Sequence, residues 1–271
     1  MKQKIDLFLR RYIVTGLLVF CATVAGAQVV KESTHKAVQS GGYPFWINLP
    51  EDYLQDENPH PLIFFLHGAS LCGNNLSRVK TYGTLAAIGM GRKIPAIVIS
   101  PQNPGGAWSP KKLNDILEWA KREYNVDTTR VSVLGMSLGG YGTLDFAGTY
   151  PHKIAAAMAL CGGCTLKDQR GLGELPLWII HGTGDKAVSV NESKKIVNAL
   201  KGDKRDKRLR FDWLPGASHG APARIFYLKE TYEWLLSHSL SDPDRPVNRD
   251  IIINQKMMAN AYSDLVTRRR R

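Results

Sequence analysis

The chain has 271 residues, of which 44% are hydrophobic and 22% are charged. This balance is typical of a globular protein and excludes a fibrous or wholly disordered chain. The net charge of +12 comes with no nucleic-acid-binding motif and no aromatic residues interleaved with the basic ones, so we predict that no nucleic acid is a partner.

Residues 1–27 carry the three parts of a secretion signal. Four basic residues precede an apolar run from Ile13 to Val24, and Ala25-Gly26-Ala27 supplies the small residues that signal peptidase requires. The apolar run is too short to favour a membrane-spanning helix, and the bulky residue before Cys21 fits a lipid-attachment site poorly. We therefore predict cleavage before Gln28, export to the periplasm or the exterior, and no stable membrane anchor.

Residues 28–240 form the main predicted domain, in which strand patterns alternate with helical patterns. Continuous apolar runs such as Leu62–Leu66 are typical of strands buried on both faces of a parallel sheet. The alternation predicts one α/β domain with a mostly parallel sheet and helices on both faces. The segment between Leu160 and Leu177 is too short for a helical cap. The predicted elements are an extended lead-in at 28–40, strands at 43–49, 62–66, 96–99, 131–134, 154–160, 177–180 and 209–214, a turn at 127–130, and helices at 75–90, 110–124, 138–149, 190–201 and 221–238.

Residues 241–271 are predicted to form a C-terminal extension. Pro243 and Pro246 end the preceding helix, because proline cannot continue one. Beyond them, apolar residues recur at helical spacing and are expected to dock on the body, whereas the terminal arginines at 268–271 are expected to be disordered. The apolar positions are Ile253, Met257, Ala261 and Leu265.

The stretch Gly135-Met136-Ser137-Leu138-Gly139 carries the strongest functional pattern. It fits G-x-S-x-G, in which a serine lies on a sharp turn between a strand and a helix. Glycines two positions before and after the serine remove the Cβ atoms that would clash in that turn. The N-terminus of the following helix also favours the negative charge that an attacking serine generates nearby. Ser137 is therefore the candidate nucleophile.

A serine nucleophile needs a base, and the base needs an acid that orients it. The strand at 177–180 runs directly into His181-Gly182-Thr183-Gly184-Asp185. This order places Asp185 in a loop at the carboxyl edge of the sheet, where open α/β sheets carry their sites. Asp185 is the predicted acid. The rival carboxylates precede that strand or lie inside the helix after the serine; they are Asp168, Glu174 and Asp145.

His219 is the predicted base. It lies in the small-residue loop Gly216-Ala217-Ser218-His219-Gly220 after the last strand, from which it can reach Ser137. The order serine, acid, histidine along the chain is that of the α/β-hydrolases. The other downstream histidines are tied to a strand end or lie at or near a helix end; they are His181, His238 and His152.

Two backbone N–H groups are needed to bind the oxyanion that forms when a serine attacks a carbonyl group. One is predicted at Leu138, directly after the nucleophile. The other is predicted at Ala69, in the loop His67-Gly68-Ala69-Ser70, whose glycine allows close approach to the substrate carbonyl. His67 itself is expected to be structural.

Three cysteines follow the predicted signal: Cys72, Cys161 and Cys164. Export to an oxidising compartment predicts one disulfide among them, and the odd count leaves one thiol over. Cys161-Gly162-Gly163-Cys164 has C-x-x-C spacing, but no thioredoxin pattern surrounds it, which argues against redox chemistry. No second ligand pair lies at zinc-binding spacing, so we predict neither a metal nor another cofactor.

These motifs resemble the α/β-hydrolase superfamily over residues 43–238. They are most similar to capless exported esterases of the phospholipase/carboxylesterase and dienelactone-hydrolase-like groups. The shared motifs are Leu66-His67-Gly68, Asp127-x-x-Arg130, Gly135-Met136-Ser137-Leu138-Gly139-Gly140 and His181-Gly182-x-x-Asp185. The resemblance implies attack by Ser137, an acyl-enzyme, and its hydrolysis by a water that His219 activates.

The resemblance also implies a substrate class. Polysaccharide esterases that remove feruloyl or acetyl groups share this layout, so the expected substrate is a small-molecule or glycan-borne carboxylic ester. Trp108, on a loop at the same sheet edge, is a candidate platform for the acyl or sugar group, with simple loop packing as the alternative.

Two other functions use the same pattern. A serine peptidase of the prolyl-oligopeptidase type has the same triad, but it carries an accessory domain for which this chain has no room. A non-catalytic envelope-binding protein with a hydrolase fold is the other alternative, and the intact set of Ser137, Asp185 and His219 argues against it.

Overall fold

The computed structural model describes residues 32–55 and 57–266. The predicted signal at residues 1–27 and the terminal arginines at 268–271 lie outside them, so export and a disordered tail stay predictions. In the part of the chain that the structure describes, no helix has the length and apolar character needed to cross a bilayer.

The described strands form a single eight-stranded sheet. They are β1 (Glu32–His35), β2 (Phe45–Asn48), β3 (His60–Leu66), β4 (Ile97–Pro101), β5 (Val126–Met136), β6 (Ala156–Leu160), β7 (Leu177–Gly182) and β8 (Leu209–Leu214). Their order is β1-β2-β4-β3-β5-β6-β7-β8. β2 pairs antiparallel with β1 and with β4, and the remaining pairs are all parallel. The prediction of a mostly parallel sheet is confirmed.

Helices cover both faces of this sheet. They are α1 (Thr84–Gly89), α2 (Pro110–Glu123), α3 (Leu138–Thr149), α4 (Val190–Gly202), α5 (Lys229–Leu236) and α6 (Gln255–Ala259). In β3, Leu62 and Phe64 join one apolar core with α2, α3 and α4, whereas Ile63 and Phe65 join a second core with α1, α5 and α6. Successive side chains of a strand point to opposite faces, which explains why β3 is apolar at every position in this stretch.

The helix predicted at 75–90 is divided. A 3-10 helix, Leu76–Lys80, precedes α1, and between them lies Gly83 with a φ of 89°. A Cβ atom at Gly83 would lie 2.0 Å from the ring of Phe65. Only glycine fits both the positive φ and this close approach to β3, so the helical pattern is interrupted here.

The helix predicted at 221–238 is also divided, into the 3-10 helix Ala221–Tyr227 and α5. Leu228 between them has an extended backbone with a ψ of 139°. Thr231 and Tyr232 donate their hydroxyl groups to the carbonyls of the 3-10 segment, at 2.6 and 2.5 Å. These buried side-chain bonds satisfy acceptors that a continuous helix would have paired internally.

Strands occupy part of the predicted extended lead-in and all of the predicted turn. Residues 32–35 of the lead-in pair with β2 as β1, and residues 127–130 belong to β5, whose register against β3 shifts between His60 and Leu62. The Asp127 carboxylate accepts the backbone N–H and the hydroxyl of Thr129, at 2.9 and 2.7 Å. This local turn-like bonding makes the strand irregular without ending it.

The C-terminal extension docks on the body, as predicted, although only α6 is helical. The pattern predicted that Met257 is buried, but its side chain is half-buried and Met258 is buried instead. The extension is fixed by Arg92, whose guanidinium donates to both oxygens of Asp264 at 2.8 and 2.7 Å and to the Tyr227 carbonyl at 3.0 and 2.6 Å. The buried apolar residues of the extension include Ile253, Met258, Ala261 and Leu265.

We expect Arg92→Ala to lower the free energy of unfolding by about 2–3 kcal/mol, because it removes charge-assisted hydrogen bonds and leaves a buried carbonyl unpaired. Urea unfolding followed by circular dichroism measures this loss. Lys93→Ala is the matched control: its ion pair with Glu51 is exposed, and we expect a change below about 0.5 kcal/mol. Equal effects of the two substitutions would show that Arg92 does not hold the extension.

Candidate active site

Ser137 lies on the turn between β5 and α3, with a φ of 58° and a ψ of −123°. The flanking glycines make this turn possible. A Cβ atom at Gly139 would lie 1.9 Å from the carbonyl oxygen of Leu66, and one at Gly135 would lie 2.4 Å from the Gly139 carbonyl. The strained serine backbone is anchored by its N–H, which donates to Leu160 at 2.8 Å. The turn therefore has the geometry expected of a nucleophile elbow.

Asp185 and His219 are in direct contact. His219 Nδ1 lies 2.7 Å from Asp185 Oδ2, and the other carboxylate oxygen accepts the backbone N–H groups of Ala187 and Val188 at 2.8 and 2.9 Å. The Asp185 side chain is fully buried and that of His219 is 27% exposed. With Nδ1 occupied by the carboxylate, Nε2 is the ring atom left to serve as a base.

The pKa of Asp185 is held below its ordinary value. Burial alone raises this pKa, but the hydrogen bonds from Val188, His219 and Ala187 together outweigh that effect. The carboxylate therefore stays ionised through the neutral pH range. Because the folded-state pKa is depressed, the stability that this group contributes is present above the ordinary aspartate pKa and is lost as the pH falls through the folded value.

The residues of the predicted triad follow three strands of the parallel part of the sheet. Ser137, Asp185 and His219 follow β5, β7 and β8, which end at the same edge of the sheet. Among the described residues, no hydrogen bond joins the Ser137 hydroxyl to His219. Catalytic hydrogen bonds are often long or poorly aligned in a free enzyme and tighten when substrate binds. The structure thus joins acid and base, while the contact between base and nucleophile stays a prediction.

The two predicted oxyanion donors share one structural feature. Ala69 is the first residue of the 3-10 helix Ala69–Leu71 and Leu138 is the first residue of α3, and neither helix has a side-chain cap. N–H groups in the first turn of a helix have no acceptor within it. A Cβ atom at Gly68 would lie 3.5 Å from that of Ser137, so the Ala69 loop runs against the nucleophile. Ala69 and Leu138 therefore lie next to Ser137, and the role of their amides as oxyanion donors stays a prediction.

Comparisons with known proteins agree with this geometry. The Dienelactone hydrolase family matches residues 106–226, a segment that contains Ser137, Asp185 and His219. A solved thermostable esterase superposes with a TM-score of 0.62 at 24% identity, over 78% of this chain and 63% of that one. The chain has the α/β-hydrolase fold. A feruloyl esterase module from Clostridium thermocellum, solved with sinapinate, superposes with a TM-score of 0.56 at 16% identity, over 73% of this chain and 86% of the module.

Sequence similarity to curated proteins is partial. A bifunctional acetylxylan esterase/xylanase of Neocallimastix patriciarum is 25% identical over 166 residues, which cover 58% of this chain but 24% of that protein. The chain thus spans about a quarter of the length of that relative.

Tyr82 is a site residue that the sequence did not indicate. Its hydroxyl accepts the backbone N–H of Gly68 at 2.7 Å, next to the predicted oxyanion donor Ala69. Burial raises the pKa of Tyr82, so the hydroxyl keeps its proton. Tyr82 lies between the 3-10 helix Leu76–Lys80 and α1, in a segment predicted to be one helix, and its reach to the sheet edge depends on that break.

We expect Tyr82→Phe to lower kcat about tenfold while KM changes little, because the freed Gly68 N–H no longer fixes the oxyanion loop; tenfold corresponds to about 1.4 kcal/mol. Steady-state kinetics on p-nitrophenyl acetate measures the effect. Tyr262→Phe, on an exposed ring of the C-terminal extension, is the control and should keep full activity. Unchanged kcat in Tyr82→Phe would remove this residue from the site.

Trp108 does not have the predicted role. It is 3% exposed, and its ring packs edge-on against Tyr43 and His67 at 5.0 Å each. Its Nε1–H donates to the His67 carbonyl at 3.3 Å, and Gly142 leaves room for its ring. A side chain buried in this way has no face for an acyl or sugar group, so the packing alternative replaces the platform.

His67 is structural, as expected. The ring is fully buried and uses both nitrogens: Nδ1 donates to the Gly68 carbonyl at 2.8 Å, and Nε2 accepts the backbone N–H of Asn103 at 3.0 Å. Burial lowers the pKa of His67, so the neutral ring persists. This histidine ties the oxyanion loop to the loop after β4.

The predicted disulfide is absent from the described residues, where Cys72, Cys161 and Cys164 are all free thiols. The two thiols of the C-x-x-C segment have different partners: Cys161 Sγ lies 3.8 Å from the carbonyl oxygen of His219, and Cys164 Sγ lies 3.3 Å from Asp145. Burial raises the pKa of each of these two thiols to about 12. Both are therefore protonated and poor redox groups at neutral pH.

His181, which the sequence excluded as the base, contacts the acid. Its Nε2 lies 3.1 Å from Asp185 Oδ2 and 2.9 Å from the Val188 carbonyl, so this nitrogen carries a proton. Its Nδ1 lies 2.8 Å from the hydroxyl of Ser193, and that hydroxyl lies 2.7 Å from the carbonyl oxygen of Gly162. These buried contacts link Gly162 through Ser193 and His181 to Asp185. They hold the carboxylate on the side opposite its backbone donors. The spacing of His181 and Asp185 in the sequence does not by itself show this arrangement.

Proposed function

We propose that this protein is an exported serine esterase that cleaves carboxylic esters through an acyl-enzyme. The observation that carries the proposal is the 2.7 Å contact between His219 Nδ1 and the buried Asp185, at the sheet edge where Ser137 occupies its strained turn. An oriented histidine beside a partly exposed serine is the arrangement that activates a hydroxyl group as a nucleophile.

The proposed reaction has two halves. His219 Nε2 takes the proton of Ser137 as the hydroxyl attacks the ester carbonyl, and the amides of Ala69 and Leu138 bind the oxyanion. Collapse of the tetrahedral intermediate expels the alcohol, which receives the proton from His219. In the second half, His219 activates a water that attacks the acyl-enzyme, and the carboxylic acid leaves with Ser137 restored.

We propose short acyl esters, including acetyl or feruloyl groups on glycans, as the substrate class. Two features support it. The segment between β6 and β7 contains only the 3-10 helix Arg170–Glu174 among its described elements, which leaves the edge open to a bulky alcohol. The relatives include an acetylxylan esterase/xylanase and a feruloyl esterase module. Export, proposed from residues 1–27, places such an enzyme where polysaccharides are found.

The test combines a substrate panel with covalent labelling. We expect the protein beginning at Gln28 to hydrolyse p-nitrophenyl acetate and to release acid from acetylated xylan or methyl ferulate. A fluorophosphonate should stop both reactions and add its mass to the peptide that contains Ser137. Faster cleavage of a proline peptide nitroanilide would favour the peptidase alternative, and no labelling with no turnover would leave the binding-protein alternative.

A further inference from the structure

Cys161, Asp185 and His219 form a compact cluster of three different ligand types. They follow β6, β7 and β8, and one ligand atom from each lies within 4.8 Å of the other two. Thiolate sulfur, carboxylate oxygen and imidazole nitrogen are the ligands that zinc takes in proteins. Among the described residues, no other set of three potential ligands meets at this spacing.

We propose that Cys161, Asp185 and His219 bind a thiophilic divalent cation such as Zn²⁺ or Cd²⁺, and that the bound cation inhibits the enzyme. Binding concerns the cluster alone. Inhibition rests on the esterase function proposed above.

The cluster needs only a small rearrangement to coordinate a cation. Metal–ligand bonds of about 2.0–2.3 Å in a tetrahedral site place the ligand atoms about 3.5 Å apart. The widest separation must therefore shrink by about 1 Å, and the 2.7 Å contact between His219 Nδ1 and Asp185 Oδ2 must lengthen as the cation replaces the shared proton. Asp185 is held by its backbone donors, whereas His219 lies in a loop whose Gly216 has a φ of 66°. Movement of His219 therefore completes a three-ligand site with water in the fourth position.

The path by which a cation reaches the cluster determines how fast the cation binds. Cys161 and the Asp185 side chain are fully buried, and His219 is the one member that solvent reaches. A cation must pass His219, which requires the loop to open. We therefore expect inhibition to develop over time after mixing.

Coordination removes the basic atom of His219. In the free enzyme the Nδ1 proton is shared with Asp185 and Nε2 holds the lone pair. When the cation takes the lone pair at Nδ1, the ring proton moves to Nε2, and Cys161 releases its thiol proton to water. One proton is released for each cation bound. Protonated Nε2 cannot accept the proton of Ser137, so nucleophilic attack stops.

The experiment titrates the protein with Cd²⁺ and follows the ultraviolet Cd–thiolate charge-transfer band and ester hydrolysis. Ser137→Ala is used for the band because it tests binding independently of esterase activity. Cys161→Ala removes the sulfur ligand, and Cys161→Ser keeps its approximate size in case the alanine variant does not fold. Cys164→Ala is the matched control, because Cys164 contacts Asp145 and not the cluster.

We expect one Cd²⁺ per protein with a thiolate band in the wild type, Ser137→Ala and Cys164→Ala, and slow loss of wild-type activity that a chelator reverses. The Cys161 variants should lose the band and need at least about 100-fold more Cd²⁺ for inhibition, since loss of even an outer-sphere partner weakens a metal site about 10- to 100-fold. No band in Ser137→Ala, or equal inhibition of the Cys161 variants, would overturn the proposal. A band in a wild type without esterase activity would uphold the site and reject the enzyme.

Discussion

Ser137→Ala is expected to lower kcat on p-nitrophenyl acetate by at least about 10⁴-fold, because a hydrolase without its nucleophile keeps only the contributions of binding and the oxyanion donors. KM should change little, since the hydroxyl contributes mainly to the transition state. The measurement is steady-state hydrolysis, with enough protein to quantify the residual rate.

Two further substitutions separate chemistry from folding. Ser137→Gly should be equally inactive but more stable by about 1 kcal/mol, because glycine accepts the φ of 58° without strain. Ser218→Ala removes an exposed serine beside His219 and should keep full activity. If Ser137→Ala retained more than about a tenth of the wild-type rate, Ser137 would not be the nucleophile.

The sheet was the part of the fold most accessible from sequence. Buried parallel strands are apolar on both faces, so β3, β6 and β7 appear as continuous apolar runs. β1 was missed because residues 32–35 form an edge strand with exposed polar side chains, and edge strands lack that pattern. The division of the helix predicted at 75–90 was missed because Gly83 is required by its contact with Phe65, which is distant in sequence.

The parts of the site that could be predicted are those in which the chemistry requires particular residues at fixed positions in the sequence. The turn around Ser137 needs glycines at fixed positions, and the order of strands and loops places Asp185 and His219 at one edge. Tyr82 could not be found in this way, because its role depends on a hydroxyl meeting a backbone N–H across the fold. Trp108 was misassigned for the same reason: loop position says nothing about burial, which packing against Tyr43 and His67 decides.

Asp185→Asn is expected to lower kcat about 10⁴-fold, as replacement of a triad aspartate by asparagine does when it imposes the wrong histidine tautomer. Here the surroundings determine the orientation of the new amide. Oδ1 accepts two backbone N–H groups, so the amide NH₂ must take the Oδ2 position, 2.7 Å from His219 Nδ1. His219 then has to accept at Nδ1, and its proton moves to Nε2, the atom that must receive the Ser137 proton.

The same NH₂ would face the protonated Nε2 of His181 at 3.1 Å, so we also expect Asp185→Asn to be less stable than the wild type. Asp168→Asn is the matched control, because that exposed carboxylate pairs with Arg170 and should leave kcat unchanged. Comparison of kcat with that of the wild type across pH measures the effect, because a tautomer defect lowers kcat over the whole profile. A kcat of Asp185→Asn within about tenfold of the wild-type value would reject the tautomer argument.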